Sequence, residues 1–282
     1  MSTTTTTAPQ GVRQRPSLLG SDAQRFWNLT WTLAVTDFKL RFYGSVLGYV
    51  WTLARPFMFF GVIYFVFTEI VGLAKNVPNY GVYILFSLVL FQFFGEATGN
   101  CVGALVAREN LLRKMRFPRL VIPLAVVLTA LFNLGMTLIA VMVFALASGV
   151  YPTLGWLELP VIIAILAFFA TGVGLLLSAL FVRYRDVQPI WEVFSQMLFY
   201  ASPILYVSTL VPETYQHPYH ANPIASLLAE MRHAVVDPTA PHAWAAIGGG
   251  ARLLIPAAII FGVFALGMWV FSREAPRIAE NL

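Results

Sequence analysis

Charge is what this sequence has least of. Only 11% of its 282 residues are Asp, Glu, Lys or Arg, where a soluble domain carries about 25%. So few ionic groups cannot hydrate the surface of a chain this long, which excludes an ordinary water-soluble globule. Cysteine is nearly missing too: Cys101 stands alone, and one thiol excludes an intrachain disulfide framework. The G-x-x-x-x-G-K-[ST] loop that cradles nucleotide phosphates is absent, since Gly248-Gly249-Gly250 runs into Ala251-Arg252 without the lysine. ATP hydrolysis by that route is excluded. The net charge of +5 marks no nucleic-acid binder, because the basic residues gather at the ends of apolar runs and form no continuous stripe. His217, His220, His233 and His242 share one region but lack acidic ligands at regular spacing, so no metal site is expected.

What the chain does have is long apolar runs, with 59% hydrophobic residues and a mean hydropathy of +0.74. A helix needs about 20 predominantly apolar residues to cross a bilayer core. Such stretches lie at 47–71, 80–106, 120–147, 157–182, 187–210 and 253–271, the fifth interrupted by Pro203 and Pro212. Lys and Arg then set the orientation. They precede the first run (Arg25, Lys39, Arg41), fill the segment after the second (Arg108 to Arg119), and follow the fourth (Arg183, Arg185) and the sixth (Arg273, Arg277). The expected fold is an all-α integral membrane bundle of six spans with both termini in the cytoplasm. Residues 1–20, Thr-rich and polar, read as a disordered cytoplasmic tail. Residues 21–46 read as an interfacial amphipathic helix, with Phe26, Trp27, Trp31 and Phe38 among basic and polar neighbours. Residues 47–282 form the transmembrane domain.

Several side chains stand out within the spans. Phe57, Phe60, Tyr64 and Phe67 share one face of the first span, and Phe199, Tyr200 and Tyr206 add aromatics around the fifth. Such rings either line a path on which sugar C–H faces stack, or fill the bundle. Gly95, Gly99 and Gly103 recur every four residues, a spacing that lets helices approach closely within one subunit or across a dimer seam. Glu96, deep in the second span, needs a partner; Asn100 one turn on is the nearest, and protonation is the other way out.

Four stretches carry a resemblance. They are Phe38-Lys39-Leu40-Arg41-Phe42-Tyr43-Gly44-Ser45-Val46-Leu47-Gly48-Tyr49-Val50-Trp51 with Arg55-Pro56; Asn110 to Arg119 with Pro123; Phe181-Val182-Arg183-Tyr184-Arg185-Asp186; and Ser202-Pro203-Ile204-Leu205-Tyr206 with Val211-Pro212, Asn222-Pro223 and Arg232. In this order they resemble the permease subunits of ABC-2-type polysaccharide exporters, a family that handles O-antigens, wall teichoic acids and capsular glycans. The resemblance implies a plasma-membrane transport subunit with no enzymatic activity and no cofactor of its own, ATP and Mg being held by a separate ATPase. It implies a second copy of the chain as partner and a lipid-linked glycan as cargo. Glu109, Arg113, Lys114, Arg116 and Arg119 in one cytoplasmic loop, and Arg183, Arg185 and Asp186 in the other, would then dock the ATPase. The same basic residues also serve simply as topology determinants and lipid-phosphate contacts. Ser202, Pro203, Asn222 and Pro223 would belong to re-entrant helices gating the outer exit between spans five and six. An ABC-2 exporter of a small hydrophobic drug or lipid is the alternative within the family. A polytopic enzyme would need convergent acids and histidines at one depth, and a proton-driven carrier would need repeats and several intramembrane charges; the sequence offers neither.

Overall fold

The computed structural model describes residues 23–43, 46–72, 77–114 and 117–274. The tail 1–20 lies outside them. Among the described residues the regular structure is entirely helical. Helix α1 spans Ala23–Phe42 and α2 Val46–Phe65, the latter extended by a π-helical turn Val66–Ile70. Then come α3 (Tyr80–Val102), two short pieces α4 (Ala104–Ala107) and α5 (Glu109–Lys114), and the long α6 (Val121–Ala147) and α7 (Leu159–Arg183). Helices α8 (Val187–Tyr200), α9 (Glu213–Tyr219), α10 (Pro223–Met231), α11 (Ala243–Ala246) and α12 (Leu254–Glu274) complete the chain.

Among the described residues five helical stretches are long and apolar enough to cross a membrane: Val50–Ile70, Tyr80–Val102, Val121–Ala147, Leu154–Arg183 and Gly250–Glu274. They fall where the apolar runs predict them. Among the described residues the run at 187–210 gives no sixth helix of that length. Helix α8 stops at Tyr200, and its 14 residues rise about 21 Å, short of the ~30 Å core. Pro203 is the physical reason, since it lacks an N–H and disfavours helix at the residue before it. Carbonyls of the turn that follows α8 are taken up by α3. Tyr83 donates its hydroxyl to Pro203 O and, at 3.2 Å, to Tyr206 O, while Tyr80 donates to Leu205 O at 2.6 Å.

Helix α3 is the axis of the bundle. Buried residues make up 78% of its most apolar window, against 17% for α2 and for α12, which places α3 at the centre and the other two at the edge. It is apolar on nearly every side, as a central helix must be, and packs on α6 and α7. Within it Thr98 donates to Phe94 O at 2.7 Å, which spares that hydroxyl from apolar surroundings.

The tightest helix contact joins α7 to α12. A Cβ on Gly267 would fall inside contact distance of Gly172 O, and one on Gly172 would lie 2.6 Å from Phe264 Cα. The Gly95, Gly99 and Gly103 series does not do this within the chain. A Cβ on Gly99 would meet nothing within 4 Å, and those on Gly95 and Gly103 would only touch Ser195 and Phe181 at 3.9 Å.

Helix α1 runs along α6. Phe26, Thr30 and Ala34, four residues apart, form its buried ridge, and Trp31 and Phe38 both set their rings edge-on to Phe132. Thr30 and Ala34 are small enough for Thr129 Oγ1 to reach Ala34 O at 3.3 Å. The opposite face leaves Trp27 and Leu40 exposed.

Candidate functional site

Three helices and the end of a fourth enclose a groove of about 820 Å³. The contribution of each follows from helical periodicity, which sets residues four apart on one face. Helix α3 supplies Phe91, Gln92, Gly95, Glu96, Gly99 and Asn100; α8 supplies Trp191, Glu192, Ser195, Gln196, Phe199 and Tyr200. The two stripes have the same spacing. Helix α2 adds Trp51, Thr52, Arg55 and Phe59, and α1 adds Arg41. Gly95 and Gly99 form part of the floor: with no side chains there, α3 leaves the space open. Aromatic contacts pin α8 to α3 along the groove, with Phe91 against Phe199 (ring centroids 5.3 Å apart) and Phe94 against Trp191 (6.2 Å).

The polar groups of the groove form one network and one gap. Arg41 and Glu96 make an ion pair across 55 residues of sequence, and Asn133 of α6 donates to the same Glu96 Oε1 at 2.6 Å. The sequence suggests Asn100 or protonation for Glu96; the partners are Arg41 and Asn133, which only folding brings to that depth. Glu192 accepts from Gln188 at 3.1 Å. Arg55 lines the groove with no hydrogen bond or ion pair to the described residues.

The aromatic residues singled out in the sequence divide. Phe199 and Tyr200 line the groove, and Tyr206 lies just beyond it, donating to Tyr200 O at 3.1 Å. Phe57 and Phe60 share a helix face as expected, but that face meets α6: their rings pack edge-on to Phe144 at 6.3 and 5.3 Å. Tyr64 lies beside Phe60, at a smaller cavity of about 520 Å³ toward the Tyr80 end of α3, and Phe67 packs against the core. The groove face of α2 carries Trp51, Arg55 and Phe59 instead. Sequence reasoning missed these although they stand at i, i+4 and i+8. The signal was the mixture: a purely apolar face is drawn into packing, whereas a face that interrupts aromatics with Thr52 and Arg55 is left for a polar cavity.

The two basic segments meet at the opposite end of the bundle from Tyr80. Gly103, before α4, abuts Phe181 of α7, and the Arg185 guanidinium lies over the same Phe181 ring, 4.9 Å from its centroid. Arg183 lies over Tyr184 at 5.3 Å, and Arg183, Arg185 and Asp186 are all exposed. Arg108 pairs with Asp37, tying this end to α1. Arg119 is half-buried before α6, and desolvation holds its pKa below the ordinary arginine value. Glu109 opens α5 and Arg113 and Lys114 close it; the side chains of Arg113 and Lys114, and all of Arg116, lie outside the described residues.

At the Tyr80 end, Asn222 ties the broken segment together. Its Oδ1 caps α10 through Ile224 N at 3.0 Å, with Pro223 at the first helical position, while its Nδ2 donates to Ser202 Oγ at 3.0 Å. Pro203 is held by Tyr83 as described above. Arg232, nearly buried, pairs with Asp237 at 3.5 Å and lies over the Tyr83 ring at 5.8 Å. The rings of His233 and His242 lie against each other, tilted by 34° with centroids 3.4 Å apart, but among the described residues no group of three or more His, Cys, Asp or Glu is placed to hold a metal.

A family model for the ABC-2 type transporter matches residues 28–236, from α1 through the broken outer segment and including the whole groove. The chain belongs to the ABC-2 type transporter family. Two relatives are O-antigen export system permease proteins RfbA. That of Klebsiella pneumoniae is 30% identical over 247 residues (87% of this chain, 92% of the relative), and that of Myxococcus xanthus is 31% identical over 214 residues (75% and 82%). The polysialic acid transport protein KpsM of Escherichia coli is more distant, at 20% over 206 residues (72% and 80%). With five helices able to cross a bilayer, this ABC-2 family member is a multi-pass integral protein of the plasma membrane.

Proposed function

We propose that the chain is the membrane-spanning permease half of an ATP-driven exporter that moves a lipid-linked polysaccharide across the plasma membrane. The groove is the observation that carries this reading. Its walls set flat rings (Trp51, Phe59, Trp191, Tyr200) beside amides and a hydroxyl (Gln92, Asn100, Gln196, Ser195). Sugar C–H faces stack on such rings, and sugar hydroxyls exchange hydrogen bonds with amides. With few fixed charges, no single position holds a long chain tightly, which suits sliding. The names of the relatives, O-antigen and polysialic acid export proteins, agree with a glycan cargo.

In this reading the basic end faces the cytoplasm and receives a separate ATPase on the 109–119 and 183–186 segments. Helix α8 with the turn after it makes a sixth crossing, running from Arg183 to the tyrosines at the start of α3. Termini then lie inside, and two copies related by a two-fold axis form the full exporter. The 201–236 segment, pinned by Tyr80, Tyr83 and Asn222, forms the outer gate.

The test is depletion of this protein in its host with tracking of lipid-linked glycans. Accumulation of long glycans on the cytoplasmic leaflet with loss of surface polymer is the expected result. Unchanged glycan traffic overturns the polysaccharide reading in favour of a small hydrophobic cargo.

A further inference from the structure

The groove holds two arginines and two carboxylates, of which only Arg41 and Glu96 are paired with each other. Arg55 lies about 8 Å inside the start of its span and Glu96 about 9 Å inside the end of its own, so both stand at a similar depth from the basic end. Of the four charged residues there, Arg41 is paired with Glu96, Glu192 accepts from Gln188, and Arg55 has no partner among the described residues. An unpaired cation inside a span is costly and marks a functional position. Glu96, moreover, keeps the Asn133 amide at 2.6 Å if Arg41 leaves it, so its carboxylate is not stranded by the loss.

We propose that Arg55 and Arg41 form an anion subsite in the groove that takes the phosphate end of the lipid-linked cargo, with Arg41 exchanging Glu96 for the phosphate. The inference rests on the exporter reading above. A carboxylate would only repeat what Glu96 already offers Arg41. A phosphate ester brings more negative charge and more acceptor oxygens, enough to engage both guanidiniums, whose planar forks match its geometry. The rings and amides farther along the groove are left for the neutral chain that follows. The same phosphate chemistry is present in bulk lipid headgroups, and the test separates the two sources.

The full chain in phosphatidylcholine nanodiscs is titrated with dodecyl phosphate, with dodecanol as the uncharged control. Dodecyl phosphate should bind at least about tenfold more tightly than dodecanol. Arg55→Gln should remove most of that difference, while Arg55→Lys, which keeps a point charge, should restore part of it. Glu96→Gln should tighten binding, because it frees Arg41 in advance; a merely structural ion pair would not respond in that direction. Equal binding of dodecyl phosphate and dodecanol, or an Arg55→Gln variant that binds like wild type, overturns the subsite. Phosphatidylglycerol in the disc displacing the probe overturns the cargo assignment in favour of a bulk headgroup. If depletion in cells leaves glycan traffic unchanged while Arg55-dependent phosphate binding persists, the exporter reading fails and the anion subsite stands.

Discussion

Glu96 shows how a single intramembrane charge is made tolerable. Its carboxylate is only partly exposed and shares one oxygen between Arg41 and Asn133, so the charge is distributed over three helices. Removing one member leaves the other incompletely compensated. Arg41→Gln should lower thermal stability in detergent by about 1–2 kcal/mol, the partial exposure of the pair keeping the cost below that of a fully buried one. The charge-swapped Arg41→Glu with Glu96→Arg should recover part of this in a double-mutant cycle; no recovery would mean that the two side chains do not interact. The glycines make the second residue-scale point. Gly267→Ala should cost about 1–3 kcal/mol or more by forcing α12 off α7, while Gly262→Ala, where a Cβ meets nothing within 4 Å, should leave the melting temperature unchanged or raised. Equal effects at the two sites would contradict the close approach of α7 and α12.

At the scale of elements, the decisive piece is the stretch from α8 to α10. A helix in a bilayer can stop only where its freed carbonyls find donors; Tyr206 donates to Tyr200 O and Asn222 to Ala201 O, and the hydroxyls of Tyr80 and Tyr83 serve the carbonyls of the turn that follows. Tyr83→Phe should therefore release Pro203 O and Tyr206 O, cost about 1–3 kcal/mol for the buried acceptors left unmade, and raise the rate of proteolysis between 201 and 219 in right-side-out vesicles. Tyr151→Phe, an exposed tyrosine, is the control, and equal proteolysis in both variants would contradict the pinning role. Helix α1 plays the corresponding part at the other end, tied through Asp37 to Arg108 and through Arg41 to Glu96. It connects the segment leading into α5 with the groove.

For the whole molecule, the peripheral helices bear on assembly. Both α2 and α12 leave most of their apolar surface uncovered by the rest of the chain, as lipid or a second copy demands. The homodimer proposed here predicts a detergent-purified particle of twice the 31.3 kDa chain mass, plus bound detergent, by light scattering; a monomer under conditions that retain ATPase binding would contradict it. Reversing the charges of Arg183 and Arg185 should abolish stimulation of the partner ATPase while leaving membrane insertion intact, and undiminished stimulation would remove that segment from the docking surface.

The sequence by itself determined the membrane class, the five long helices and the position of the basic segments, because hydropathy over about 20 residues and the placement of Lys and Arg are one-dimensional properties. The interruption at Pro203 was legible in it as well. Which face of α2 lines the groove was decided only in three dimensions: Phe57 and Phe60 form the more conspicuous aromatic stripe, yet Phe144, more than 80 residues away, draws them into packing. The glycines followed the same rule. Spacing alone pointed to Gly95, Gly99 and Gly103, whereas close approach depends on what faces a glycine, and it is Gly172 and Gly267 that bring two long helices together backbone to backbone. Glu96 had no visible partner for a related reason: Arg41 and Asn133 lie 55 and 37 residues away. Electrostatic pairing depends on distance through space, which the folded chain sets and the order of residues does not.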